Sequence, residues 1–83
     1  MKKQDLEILG FQRHLVTMEE SGDDRDYYYY DLDIGDITLI SNDDEKAEEE
    51  GWKVNIFDFP SVEISNYTDL DSLINILESN LKK

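Results

Sequence analysis

The sequence predicts an α+β fold: one domain over residues 1–83, in two layers, with an antiparallel sheet of four or five strands. A short N-terminal helix and a longer C-terminal helix are expected on one face of that sheet. Three observations carry the prediction. Tyr27 to Ile40 (YYYYDLDIGDITLI) holds two runs of β-branched and aromatic residues that meet at Gly35-Asp36, the signal of a two-residue hairpin. Leu70, Leu73, Ile74, Leu77 and Leu81 recur at i, i+3, i+4, i+7 and i+11, the stripe of an amphipathic helix. The 83 residues are 39% hydrophobic and 11% aromatic, enough for one thin core and too few for a second domain.

Taken in order, residues 2 to 9 set Leu6 and Leu9 at i and i+3 with Gly10 as a stop, a short helix. Phe11 to Thr17 alternates as a first strand, with Phe11, Arg13 and Leu15 on one face and Gln12, His14 and Val16 on the other. Met18 to Asp26 is polar and contains glycine, which predicts a loop. In the hairpin, a turn at Gly35-Asp36 sets Ile34 against Ile37, Leu32 against Leu39 and Tyr30 against Ser41 on an apolar face. The other face takes Tyr27, Tyr29, Asp31 and Asp33, with Thr38 and Ile40 opposite the two acids. Ser41 to Gly51 (SNDDEKAEEEG) lacks an apolar stripe and reads as a solvated acidic connection, with at most a helical turn around Ala47. Trp52 to Phe59 alternates as a third hairpin strand that Pro60 ends, and Val62 to Ile64 adds an edge strand. Thr68 caps the last helix, whose positive end carries Asp69 and Asp71 and whose negative end carries Lys82 and Lys83.

Charge is the strongest compositional fact. Twenty-one acids oppose eight bases, a net of −13. Residues 19 to 50 alone hold fourteen acids against Arg25 and Lys46, a net of −12. Such a field repels nucleic acid and anionic membranes and attracts basic proteins or cations. The chain has no cysteine, so thiolate chemistry, disulfides and cysteine zinc sites are excluded. The first residues hold acids where a signal peptide needs an apolar run, and a cytoplasmic protein of a bacterial host cell is expected. Asn66-Tyr67-Thr68 matches a glycosylation sequon, read here as a loop entering a helix.

No motif specifies catalysis. Asp31 to Asp36 (DLDIGD) evokes a calcium loop, but glycine falls fifth, aspartate sixth and Asn42 twelfth, against the glycine at six and glutamate at twelve that such a loop needs. His14 is the single histidine and reads as surface material. There is no phosphate loop, nucleophile elbow or basic patch, so no enzyme and no cofactor are expected. The four consecutive tyrosines are more informative. Tyr28 and Tyr30 complete the core, while Tyr27 and Tyr29 stand beside carboxylates, where a tyrosine ring can take a partner's arginine. Same-face carboxylates on a strand lie about 6.7 Å apart, close to the spacing of phosphates on a nucleic-acid strand. The expected partner-binding set is therefore Tyr27, Tyr29, Asp31, Asp33 and Asp36 with Asp43, Asp44, Glu45, Glu48, Glu49 and Glu50.

The segments Leu9-Gly10-Phe11, Glu20 to Asp23, Tyr27 to Asp36, Leu39 to Asp43 and Gly51-Trp52 together make the chain resemble small acidic proteins of bacteriophages and prophages, a group without an assigned activity. In size and charge it is similar to anti-CRISPR and other DNA-mimic inhibitors. The −12 block, with that likeness in size and charge, predicts a non-enzymatic inhibitor that holds a basic protein, a nuclease or CRISPR effector of phage defence, without touching nucleic acid or membrane itself. An immunity protein for a nuclease toxin shares the same physics. A structural or cation-binding accessory domain is the alternative, and a homodimer stays open.

Overall fold

The hairpin forms as its residues dictate. Strands β2 (Tyr27–Ile34) and β3 (Ile37–Ser41) pair antiparallel with Ile34 opposite Ile37, Leu32 opposite Leu39, Asp33 opposite Thr38 and Asp31 opposite Ile40. Gly35 opens the turn at a φ of 59°, the left-handed conformation that a two-residue turn needs at its first central position. The computed structural model to which these strands belong describes residues 1–22 and 24–81.

Around the hairpin the sheet is an antiparallel meander of five strands, ordered β1-β2-β3-β4-β5, with β1 at Gln12–Val16, β4 at Val54–Ile56 and β5 at Phe59–Ile64. Helix α1 (Lys3–Ile8) precedes β1, α2 (Met18–Ser21) and α3 (Asp44–Glu50) join strands, and α4 (Tyr67–Leu81) closes the chain. The architecture is α+β, as expected. One core runs through it: Leu6, Phe11, Tyr30, Ile34, Leu39, Trp52, Val54, Leu70 and Ile74 are buried together, with Tyr28, Leu32, Ile37, Leu73 and Leu77 packed against them. The stripe of α4 thus meets the apolar face of the hairpin. Tyr28, Tyr30 and Trp52 form its aromatic part, the Tyr30 and Trp52 rings meeting edge-on at 5.3 Å. The Tyr30 hydroxyl reaches out to donate to Glu7 Oε2 at 3.0 Å.

Five sequence expectations need correction. Met18 to Asp26 is not all loop: Thr17 and Glu20 form a reciprocal capping box that starts the single turn of α2, and Gly22 at a φ of 79° stops it. The acidic run after Ser41 is a true helix. The Asp43 side chain accepts from the Lys46 N–H at 2.8 Å, and Ala47 packs against the core, so one small residue replaces the missing stripe. Trp52 to Phe59 is not one strand, because Phe57-Asp58 turns the chain and Phe59 begins β5 opposite Ile56. Pro60 lies inside β5 and does not end a strand; Asn55 Nδ2 donates to the Pro60 carbonyl at 2.9 Å and to the Val62 carbonyl at 3.1 Å, filling a bulge in the ladder. Lastly, Asn66 and not Thr68 caps α4, accepting from the Thr68 and Asp69 N–H groups at 2.8 and 3.3 Å. The expectations placed on Lys82, Lys83 and the Leu81 side chain lie outside the described residues.

Candidate protein-binding surface

Strand alternation sends Tyr28 and Tyr30 into the core and leaves Tyr27, Tyr29, Asp31 and Asp33 on the face away from it. Register then builds a row across that face: Gln12, Asp31, Ile40, Asn55 and Glu63 lie side by side on the five strands. Both aspartates of β2 have protein partners. Asp31 Oδ1 lies 2.8 Å from His14 Nε2, and the imidazole stacks on Tyr29 with ring centres 5.5 Å apart. The Thr38 hydroxyl donates to Asp33 Oδ1 at 2.8 Å. Asp31 and Asp33 also line a small cavity of about 140 Å³ with Gly10, Gln12 and Leu32. His14 is therefore more than surface filler, since it ties β1 to β2 through Asp31.

The second acidic region lies where the chain leading into β2 meets α3. A concavity of about 590 Å³ is lined by Asp24, Arg25, Tyr27, Asp43, Asp44, Glu45 and Glu48. Five carboxylates face one guanidinium there. Arg25 Nη1 donates to Asp44 Oδ2 at 3.2 Å and Arg25 Nε to Glu45 Oε2 at 3.1 Å, while Nη1 also reaches the Asp26 carbonyl at 2.9 Å. These bonds, Asp44 first and Glu45 second, hold the guanidinium above its ordinary pKa. Partial burial pushes the Asp44 carboxyl up. The N–H of Tyr28 and the charge of Arg25 together outweigh that effect, so its pKa falls below the ordinary value.

Of the expected binding residues, the structure gathers Tyr27, Asp43, Asp44, Glu45 and Glu48 around one concavity and places Tyr29, Asp31 and Asp33 on the adjoining sheet face. Asp36 stands apart, exposed at the hairpin turn. Glu49 is exposed on α3, and Glu50 lies 3.9 Å from Lys53. Sequence reasoning missed Arg25 and Asp24. The signal was there in Arg25, a cation placed among acids, but its partners lie nineteen and twenty residues away. No group of three or more His, Asp or Glu residues among the described ones is arranged to hold a metal ion.

Fold and surface together define a class, a small α+β domain that turns a tyrosine-bearing acidic surface to solvent. Comparison with protein-family models, with curated proteins and with solved structures found no match for this chain.

Proposed function

We propose that the protein is a non-enzymatic inhibitor that binds a basic protein and covers the surface with which that protein handles nucleic acid. The observation that carries this reading is the concavity in which Asp24, Asp43, Asp44, Glu45 and Glu48 surround Arg25 beside Tyr27. It has the size and charge to accept an arginine or lysine side chain, and Tyr27 offers a ring for a cation to lie on. The charge of −12 over residues 19 to 50 steers a basic partner toward it at long range. The likeness in size and charge to phage anti-defence proteins directs the search to nucleases, CRISPR effectors among them, in the cytoplasm of a bacterial host.

The test is affinity capture from host lysate at low and at high salt, with bound proteins identified by mass spectrometry. The expected result is one basic nucleic-acid-handling protein or complex, retained at low salt and reduced at high salt. Glu48→Gln, Glu49→Gln and Glu50→Gln combined, and separately Asp31→Asn with Asp33→Asn, should weaken that retention. Capture indifferent to salt and to these changes would overturn the proposal. So would a scatter of basic proteins all lost at modest salt, since surface charges separated by more than about 8 Å are screened at physiological ionic strength.

A further inference from the structure

Two turns lie together at the end of the sheet remote from the concavity. The concavity sits where β2 begins and β3 ends, whereas Gly35-Asp36 joins the end of β2 to the start of β3. The second turn, Phe57-Asp58, joins β4 to β5. The Phe57 N–H donates to the Thr38 carbonyl at 2.8 Å, so this turn adjoins the first residues of β3. The Thr38 hydroxyl in turn donates to Asp33 Oδ1, which sets Asp33, Thr38 and Phe57 side by side. Phe57 and Phe59 flank Asp58 and are 62% and 63% exposed. Asp33, Asp36 and Asp58 are exposed beside them, and none of the three forms an ion pair among the described residues.

The fold itself does not call for either ring. Phe59 pairs with Ile56, whose side chain packs against the core, yet Phe59 stays mostly in solvent. The turn does not require phenylalanine either. Two-residue hairpin turns favour glycine, asparagine and aspartate because their preferred types need a positive φ. Among the described residues only glycines have one, so Phe57 fills no special backbone position. Single exposed apolar side chains are ordinary on a protein surface. Two phenylalanines around one turn, with three carboxylates beside them, have instead the composition of an interface anchor, aromatic at its centre and charged at its rim.

We infer that the Phe57-Asp58-Phe59 turn is a second docking element, which inserts its two rings into an apolar cleft of a protein whose rim carries lysine or arginine. Charge selects this occupant among the surfaces that could take a phenyl ring. An anionic membrane is repelled by Asp33, Asp36 and Asp58 and by the net charge of −13. A second copy of the chain brings the same carboxylates to the same place and is repelled likewise. A cleft with a basic rim is attracted by them, and burial of the rings then adds an attraction that salt does not screen. The inference does not depend on the reading of the concavity. The two surfaces lie at opposite ends of β3, and the acids of α3 can be neutralised without touching the turn.

The experiment uses the full chain, with the photo-crosslinking residue p-benzoylphenylalanine placed singly at Phe57, at Phe59 and, as a control, at Ile76, which is 58% exposed on α4. Each protein is irradiated in lysate of the cells that make it, at low and at high salt, and mass spectrometry identifies the residue attached. The expected result, from both turn positions and not from Ile76, is attachment to one protein at apolar residues bordered by lysine or arginine, retained at high salt. Asp33→Asn, Asp36→Asn and Asp58→Asn combined should lower the yield at low salt, whereas Glu48→Gln, Glu49→Gln and Glu50→Gln combined should leave it unchanged. As a competitor, the double variant Phe57→Ser with Phe59→Ser should be weaker than the parent protein by about tenfold or more, the loss seen when an interface anchor is truncated. Its melting temperature should match the parent's. Attachment to lipid, to a second copy or to polar sites on many proteins would overturn the inference, as would a yield no greater than that of Ile76, lost at high salt or indifferent to the three aspartates. A lowered melting temperature would also overturn it, since the rings would then serve the fold.

Discussion

The backbone N–H of Tyr28 donates to Oδ1 of Asp44 at 3.1 Å, across sixteen positions of sequence. One carboxylate thus joins the outer end of the central hairpin to the first turn of α3, and Arg25 holds its other oxygen at 3.2 Å. The concavity exists because this aspartate is bonded from both sides.

Asp44→Asn should lower unfolding free energy by about 1–3 kcal/mol, the usual loss for a partly buried hydrogen bond to a charged group. Since the folded carboxyl titrates below its ordinary value of 3.8, its contribution is complete above that pH and is lost as pH falls through the folded value. Urea melts from neutral pH downward should show the gap between Asp44→Asn and the parent protein closing in acid. A gap independent of pH would deny Asp44 this role.

Alkali should act on Tyr30. Burial first, and the Glu7 carboxylate second, raise its hydroxyl from 10.0 to about 12. A group raised in this way stabilises fully below pH 10.0, and its contribution disappears as pH climbs toward the folded value of about 12. Tyr30→Phe should cost about 0.5–1.5 kcal/mol at neutral pH through the lost bond to Glu7. Its melting temperature should also fall less steeply than the parent's above pH 10.0.

Arg25→Gln separates the structural from the functional role of the concavity. Removing the guanidinium leaves the five carboxylates with no cation of their own among the lining residues. Association with a basic partner should become faster at low salt, with the difference vanishing at high salt. Amide exchange at residues 24 to 28 should quicken in the free protein, because the tie to α3 is gone. An unchanged association rate at low salt would place the partner elsewhere.

Asn66→Ala tests the corrected cap of α4. A lost N-cap costs about 0.5–2 kcal/mol, while Thr68→Ala, whose side chain does not serve as the cap, should cost less. Thermal melts of the two variants should rank them in that order.

Much of the fold was legible because it depends on local spacing. The period of two through Tyr27–Ile34 and the glycine at its turn determined which tyrosines are buried and the register of the central pair. The period of 3.6 through Leu70, Leu73, Ile74 and Leu77 determined the face of α4 that packs. Those patterns hold whatever else surrounds them. The acidic composition likewise announced a charged surface, but not its shape.

The rest required tertiary structure, because it depends on partners distant in sequence. Whether SNDDEKAEEEG forms a helix turned on Asp43 capping Lys46 and on Ala47 finding the core. Whether Pro60 ends a strand turned on Asn55 standing across from it to bond its carbonyl. The concavity needed Arg25, on the chain leading into β2, brought to Asp44 and Glu45 in the first turn of α3. Composition and periodicity are local quantities, and they determined the elements, the core face and the sign of the field. Only the folded chain decided where opposite charges meet, because long-range electrostatic and hydrogen-bonded pairs leave no periodic trace in the sequence.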